Sequence, residues 1–308
     1  MSTILVTGAA GLIGRSVTAQ LRSRGDRVIG IDRTASGEGE TAVVACDLRD
    51  IHRLHGLAAG TTLDGIIHCG AHSGPMVSQD NPYDLVQVNV LGTANMLEIA
   101  RIWRVRRLVN CSSVSAYGHA GPGPVTEDAP LNPTTVYGAT KLAAEKLVTA
   151  YADEHGLSAV SLRLSWVYGP NRTTACMLRT MVDDALAGRP TRTTSGGAAL
   201  RQYIHADDAA AGLINALDAA EIRQPAYNLT GDDFRTVEET AELVRRILPS
   251  ADITLGPGPL PDDDVQQQFC IDAAKRDLGY RPAVTLEQGI RTMAEALRAS
   301  GSRPGAAG

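Results

Sequence analysis

The segment Thr7-Gly8-Ala9-Ala10-Gly11-Leu12-Ile13-Gly14 follows a short β-branched run at residues 4–7 and opens a helical pattern at residues 12–24. Strand, glycine turn and helix in that order restrict the possible folds more than composition does. The first glycine permits a tight turn, the second lets the backbone approach a pyrophosphate, and the third allows close helix–strand packing. The N-terminus of the following helix offers unpaired N–H groups to phosphate. A dinucleotide cradle is therefore expected on Gly8, Gly11, Leu12, Ile13 and Gly14.

Further apolar runs at residues 27–32, 42–46, 65–69, 107–111 and 159–164 read as strands. Helical patterns occupy residues 82–103 and 136–155, with a weaker one at 51–57. Alternation of this kind implies a parallel sheet with helices on both faces. Right-handed crossovers then leave the doubly wound α/β (Rossmann) sheet as the expected fold. After Leu164 the texture changes to Gly-Pro and Gly-rich turns, and residues 249–264 are dense in proline, glycine and aspartate. The expected division is a nucleotide-binding domain at 1–165, rejoined by 202–225. A smaller substrate lobe takes 166–201 and 226–300, and a disordered tail takes 301–308.

The net charge of −5 comes without a long basic run, which argues against nucleic acid as the main partner. No stretch approaches about 18 uninterrupted apolar residues, and the N-terminus lacks a signal-peptide layout, so a cytoplasmic protein is expected. Cys46, Cys69, Cys111, Cys176 and Cys270 show no metal-ligand spacing and read as free thiols. No metal site is expected. Cys69 and Cys111 fall at the cofactor edge of the expected sheet, where a small buried residue and a reactive thiol are both admissible.

Asp32 ends the second strand, where a carboxylate can accept from ribose hydroxyls and repel a 2′-phosphate, favouring NAD over NADP. The adjacent Arg33 works against that preference. Asp47, followed by Leu48, has two readings: a hydrogen bond to the adenine amino group, or an N-cap of the next helix. Tyr137 and Lys141 stand four residues apart in a helical pattern and so share a face. An ammonium beside a phenol favours the phenolate, which makes Tyr137 a proton acceptor for an alcohol. Ser113 lies upstream.

Taken together, these motifs resemble the extended short-chain dehydrogenase/reductases, in the sugar epimerase and dehydratase branch. Also similar are His68-Cys69-Gly70-Ala71 after strand four, Asn89-Val90-Leu91-Gly92-Thr93-Ala94-Asn95 in a mid-chain helix, and Arg163-Leu164-Ser165-Trp166-Val167-Tyr168-Gly169-Pro170 before the lobe. Arg201-Gln202-Tyr203-Ile204-His205-Ala206-Asp207-Asp208 and Gly279-Tyr280-Arg281-Pro282 complete the series. The resemblance implies that Ser113 binds the substrate oxygen, Tyr137 moves the proton and Lys141 holds the nicotinamide ribose. Cys69, Gly70, Ala71 and Asn89 are then implied around NAD, and Ser73, Tyr117, Trp166, Arg172 and Arg201 around a carbohydrate substrate. It also implies a homodimer built on the helices at 82–103 and 136–155, through apolar positions such as Val86, Val90, Met96 and Leu97.

Two departures from the family pattern narrow the subgroup. Val114 and Ser115 stand where 4,6-dehydratases carry an Asp-Glu pair, which disfavours water elimination. Leu260-Pro261-Asp262-Asp263-Asp264 replaces the Arg-x-Gly-Asp that binds a substrate pyrophosphate in nucleotide-sugar members. Carboxylates there would repel a diphosphate, unless the acidic loop points into solvent. The expected function is therefore NAD-dependent chemistry at a sugar secondary alcohol, as a (nucleotide-)sugar epimerase resembling UDP-sugar 4-epimerases. A dehydrogenase of a free sugar or sugar acid is the alternative, and a non-catalytic NAD-sensing protein is the third reading.

Overall fold

Val-, Ile- and Leu-rich runs build the first half of the chain as β1 (Thr3–Thr7), α1 (Leu12–Ser23), β2 (Arg27–Asp32), β3 (Val43–Ala45), α2 (Ile51–Ala58), β4 (Gly65–His68), α3 (Pro82–Val86), α4 (Gly92–Ile102), β5 (Arg107–Ser113), α5 (Val136–His155) and β6 (Ala159–Leu164). The second half holds β7 (Trp166–Tyr168), α6 (Met177–Ala187), β8 (Thr191–Gly196), β9 (Leu200–His205), α7 (Ala206–Asp218), β10 (Ala226–Leu229), β11 (Phe234–Thr236), α8 (Val237–Ile247), β12 (Ile253–Gly256), α9 (Asp272–Asp277) and α10 (Leu286–Ala299). The computed structural model describes residues 1–260 and 263–300. Pro261 and Asp262 of the acidic loop, and the tail at 301–308, lie outside the described residues.

Seven parallel strands form the central sheet in the order β10-β6-β5-β4-β1-β2-β3. Every residue of β4, β5 and β6 is buried, the signature of strands covered on both faces. One face packs against α1 and α7 through Val17, Leu21, Leu213 and Leu217. The other packs against α2 and α4 through Leu54, Met96 and Leu97, with Val148 of α5. The strand order reverses between β1 and β4, and the crevice at the carboxyl ends of these strands is where such sheets bind ligands.

A third core gathers α6, α8 and α10 around Tyr168, Tyr203 and Met181, beside a three-stranded sheet of order β11-β9-β7 and the β12-β8 pair. Thr236 with Glu239, and Thr285 with Gln288, close capping boxes that set where α8 and α10 begin. The expected boundary at residue 226 is displaced, because β10 pairs in parallel with β6 and extends the central sheet. Within 202–225, α7 joins the central sheet's helical layer, whereas β9 pairs with β7 outside that sheet.

The continuous helix expected over 82–103 is interrupted by a π-turn at Gln87–Leu91. Asn89 in that turn spends its side chain on the backbone of His72, and its carbonyl accepts from Thr93 Oγ1 at 2.6 Å. Among the described residues no helix is long and apolar enough to cross a membrane.

Candidate active site

A cleft of about 440 Å³ opens over the carboxyl ends of β1, β4 and β5. Gly8, Gly11, Leu12, Ile13 and Gly14 form one wall. Gly8 adopts φ +64°, and a Cβ there would stand 2.8 Å from Gly70 N and 2.9 Å from Cys69 O. A Cβ on Gly14 would stand 2.0 Å from Gly8 O, so the turn closes only without side chains. Among the described residues no side chain caps α1 and its first turn holds no acidic residue, which leaves its N-terminal N–H groups open to an anion. This cradle fits a dinucleotide pyrophosphate.

Asp32 lines the cleft beside Arg33. Its carboxylate accepts from Ala10 N at 3.0 Å and Arg33 N at 2.7 Å, which fixes its rotamer while each oxygen keeps a lone pair. Asp47 and Leu48 also line the cleft. The N-cap of α2 is Asp50, which accepts from Arg53 N at 3.0 Å, so the capping alternative for Asp47 does not hold. Asp47 instead pairs with Arg49 at 2.6 Å, and that guanidinium holds its carboxyl below the ordinary range. Arg49 also reaches Asp84 at 2.6 Å, and Asp84 accepts from His72 Nε2 at 2.8 Å. The Arg49–Asp84–His72 chain was not anticipated. Arg49 is two residues from Asp47, a local signal that was available, but its meeting with Asp84 is tertiary.

Cys69, Gly70, Ala71 and Ser73 follow β4 into the cleft. Asn89 does not line it: only 2% exposed, it accepts from His72 N at 2.9 Å and donates to His72 O at 3.1 Å. It holds the strand-four loop from behind, so the cofactor contact expected of it is indirect. Its amide also donates to Thr140 Oγ1, which donates to Tyr137 O.

Beneath the loop, His68 is buried between two threonines, with Nδ1 2.7 Å from Thr7 Oγ1 and Nε2 3.2 Å from Thr93 Oγ1. Thr93 donates its proton to Asn89 O, so it accepts from His68 Nε2–H, which makes Nδ1 the acceptor of the Thr7 hydroxyl. Thr7 Oγ1 in turn accepts from Gly70 N at 2.9 Å. Burial, reinforced by the Lys141 ammonium, pushes the His68 imidazole down to about 3.

Ser113, Tyr137 and Lys141 meet in the same cleft, with 8%, 7% and 7% of their surface exposed. Thr135 caps α5 by accepting from Gly138 N at 3.1 Å, which places Tyr137 and Lys141 in its first two turns. Lys141 Nζ donates to Cys111 O at 2.9 Å and lies 5.9 Å from the Tyr137 ring centroid. Ser113 ends β5, and its Oγ accepts from Ser115 N at 3.1 Å. A phenol, an ammonium and a hydroxyl lining one cleft are the groups that could together move a proton at an alcohol.

At the far end, Trp166 and Arg172 line the cleft with Asp263, Asp264 and Gln266. Of the acidic loop, Asp263 and Asp264 thus face the cleft. Arg172 donates to the carbonyls of Val167, Thr174 and Ala175, so its fork shapes the loop. Arg201 is not on the surface expected of it. Its side chain is 4% exposed, stacks 4.5 Å from the Trp166 ring and pairs with Asp263, a carboxylate that satisfies it internally.

Tyr117 also departs from expectation. It is 2% exposed and lies outside the cleft lining. Its hydroxyl donates to Asn228 Oδ1 at 2.7 Å and accepts from Arg163 Nη1 at 2.8 Å, while its ring stacks on Phe269. Burial pushes this phenol up to about 12, so it is a packing residue that ties β10 to the region after β5.

Comparison with known proteins follows the same lines. Residues 4–230 match the family model described as "NAD dependent epimerase/dehydratase family". The chain is 30% identical over 321 residues to UDP-glucuronate 4-epimerase 4 of Arabidopsis thaliana, covering 94% of this chain and 74% of that protein. The structure of UDP-glucose 4-epimerase from Thermotoga maritima with UDP-glucose superposes with a TM-score of 0.89 at 25% identity, covering 97% of this chain and all of that one (100%). The Thermus thermophilus UDP-glucose 4-epimerase complex with NAD gives 0.86 at 28% identity, covering 96% and 99%. With its glycine cradle and its sheet both in the family's form, this chain belongs to the NAD-dependent epimerase/dehydratase family.

Proposed function

We propose that the protein is an NAD-dependent nucleotide-sugar 4-epimerase that works at a sugar secondary alcohol through Ser113, Tyr137 and Lys141. The observation that carries this reading is the meeting of those three side chains in the cleft whose other wall is the glycine cradle. The similarity to UDP-sugar 4-epimerases over nearly the whole chain supports the same substrate class. The residues at Val114 and Ser115 still lack the carboxyl groups that dehydration would need.

Bound NAD supplies the hydride acceptor and donor. Asp32 accepts from the adenosine ribose and repels a 2′-phosphate, favouring NAD over NADP. Tyr137 takes the alcohol proton and later returns it. The Lys141 ammonium, anchored on Cys111 O, would hold the nicotinamide ribose and stabilises the negative charge that the Tyr137 oxygen carries before it takes the proton and after it returns it. Ser113 donates to the substrate oxygen. Tyr137→Phe keeps the ring and removes the proton acceptor. Epimerisation of UDP-glucose is expected to fall at least ~100-fold with the fold and NAD binding intact. Turnover at the wild-type rate would overturn the assignment.

One observation favours a second reading, a dehydrogenase of a sugar lacking a diphosphate: Asp263 neutralises Arg201, and Asp264 adds a further carboxylate to the lining. Asp263→Asn removes the charge and frees the guanidinium. Under the first reading the KM for UDP-glucose should drop several-fold. An unchanged KM, with net cofactor reduction on a free sugar, selects the second.

A further inference from the structure

Cys69 and Cys111 lie one residue beyond the His68–Asn110 pair that joins β4 to β5 in parallel register. Cys111 shares the α1/α7 face of the sheet with Ile67 and Val109, and Cys69 packs against the same cluster. The two sulfurs therefore face each other across neighbouring strands, and the Cys111 thiol donates to Cys69 Sγ at 3.5 Å. Both line the cofactor cleft, and both are free thiols. Adjacent parallel strands run ~4.8 Å apart, inside the 4.4–6.8 Å Cα separation that a disulfide spans. Neither sulfur has a part in the relay described above.

We propose that Cys69 and Cys111 form an oxidative modification site in the floor of the cleft, closed to an internal disulfide by a hydroperoxide. The sulfur of Cys69, the less buried residue of the two, attacks the peroxide O–O bond, giving a sulfenic acid and releasing an alcohol (water from hydrogen peroxide). The Cys111 sulfur then displaces hydroxide from that sulfenic sulfur, forming S–S and releasing water. Two electrons pass from the sulfurs to the peroxide, and both thiol protons end on the departing oxygens. The neighbouring Cys111 thiol, then burial, holds the Cys69 thiol well above the ordinary thiol range, against the opposing pull of the Lys141 ammonium. Closure is accordingly slow at neutral pH and speeds up as pH rises.

The consequence for the cofactor follows from packing and rests on the function proposed above. Cys69 O and Gly70 N sit against Gly8 with no room for a methyl group, and Lys141 Nζ is anchored on Cys111 O. Drawing the sulfurs from 3.5 Å to the ~2.05 Å of a disulfide turns both side chains, and what their torsions do not absorb passes into these two backbone segments. The glycine cradle and the lysine anchor are the neighbours that such a shift reaches. A cofactor lying over the cleft floor shields the thiols.

Mass spectrometry of the full chain tests the chemistry without reference to activity. After hydrogen peroxide treatment without reductant, a non-reducing digest is expected to yield a crosslinked peptide joining Cys69 to Cys111, two hydrogens lighter and reversed by dithiothreitol. Prior addition of NAD should slow its formation several-fold. Cys111→Ser should give oxygen adducts on Cys69 in place of the crosslink, and if that variant fails to fold, wild-type mapping decides alone. Oxygen adducts on Cys69 without a crosslink in the wild type, or a crosslink elsewhere, would overturn the site. In the crosslinked wild type NAD affinity is expected to fall at least ~10-fold and recover on reduction. A crosslink with unchanged affinity would overturn its coupling to the cofactor, and a wild type inactive on every sugar yet crosslinked would reject the proposed function while leaving the site standing.

Discussion

Buried single residues set the chemical character of the cleft as much as its lining does. His68 shows how. Its two ring nitrogens are both satisfied in the neutral form, one as acceptor and one as donor, so a second proton would cost a hydrogen bond and place charge near Lys141. Between about 6.5, the ordinary value, and about 3 the unfolded chain takes up a proton that the folded one refuses. Stability should therefore decline as pH falls through that window, and His68 contributes to the decline. His68→Gln retains a donor and an acceptor but does not titrate. Its melting temperature, measured from pH 7 to pH 4, should fall less steeply than that of the wild type; equal slopes would show that His68 is not a source of acid sensitivity. Tyr117 makes the complementary point, since a residue of pocket-lining type is spent here on joining β10 to the region after β5.

Among the elements, the β1–α1 unit and the π-turn before α4 do most to position the site. The β1–α1 turn works by exclusion, because its backbone comes so close to itself and to Gly70 that side chains cannot be accommodated. Gly14→Ala should force the turn open. The expected result is a loss of ~1–3 kcal/mol of stability, as for other overpacked sites, and at least ~10-fold weaker NAD binding by titration. Wild-type affinity would show that the turn can yield without cost. The π-turn works by diversion: one extra residue in the helix lets Asn89 reach the His72 backbone while its carbonyl serves Thr93. A helical pattern in sequence does not reveal this, because the hydrophobic period survives the insertion.

At the scale of the whole molecule, the cores on the two faces of the seven-stranded sheet and the core around α6, α8 and α10 are joined about the cleft. The exposed apolar residues of α3, the π-turn and α5 bear on assembly. Met96 and Leu97, expected at a subunit contact, are fully buried under the sheet and unavailable for one. Val86 remains exposed at 41%, with Tyr83, Leu91 and Val136 on the same pair of packed helical segments. We expect these to form a self-complementary homodimer contact. Light scattering at micromolar concentration should return twice the chain mass, and Leu91→Glu should return it to one; a wild-type monomer would reject the contact.

What the sequence determined alone is what depends on a few consecutive residues. The first six strands, the glycine turn with its following helix, Asp32 at the end of β2, and the Tyr137–Lys141 spacing arise from local backbone preference and helical period, and they stand at the positions expected. What the tertiary structure decided is which distant segments meet. Tyr117 finds Asn228 across 111 positions and Arg201 finds Asp263 across 62, so one side chain leaves the cleft and another is neutralised behind it. The meeting of Cys69 and Cys111 likewise depends on β4 lying beside β5 in one register. Local energies choose helix, strand and turn. Burial and pairing between segments far apart in the chain choose which side chains are left free to act, and that information exists only once the chain has folded.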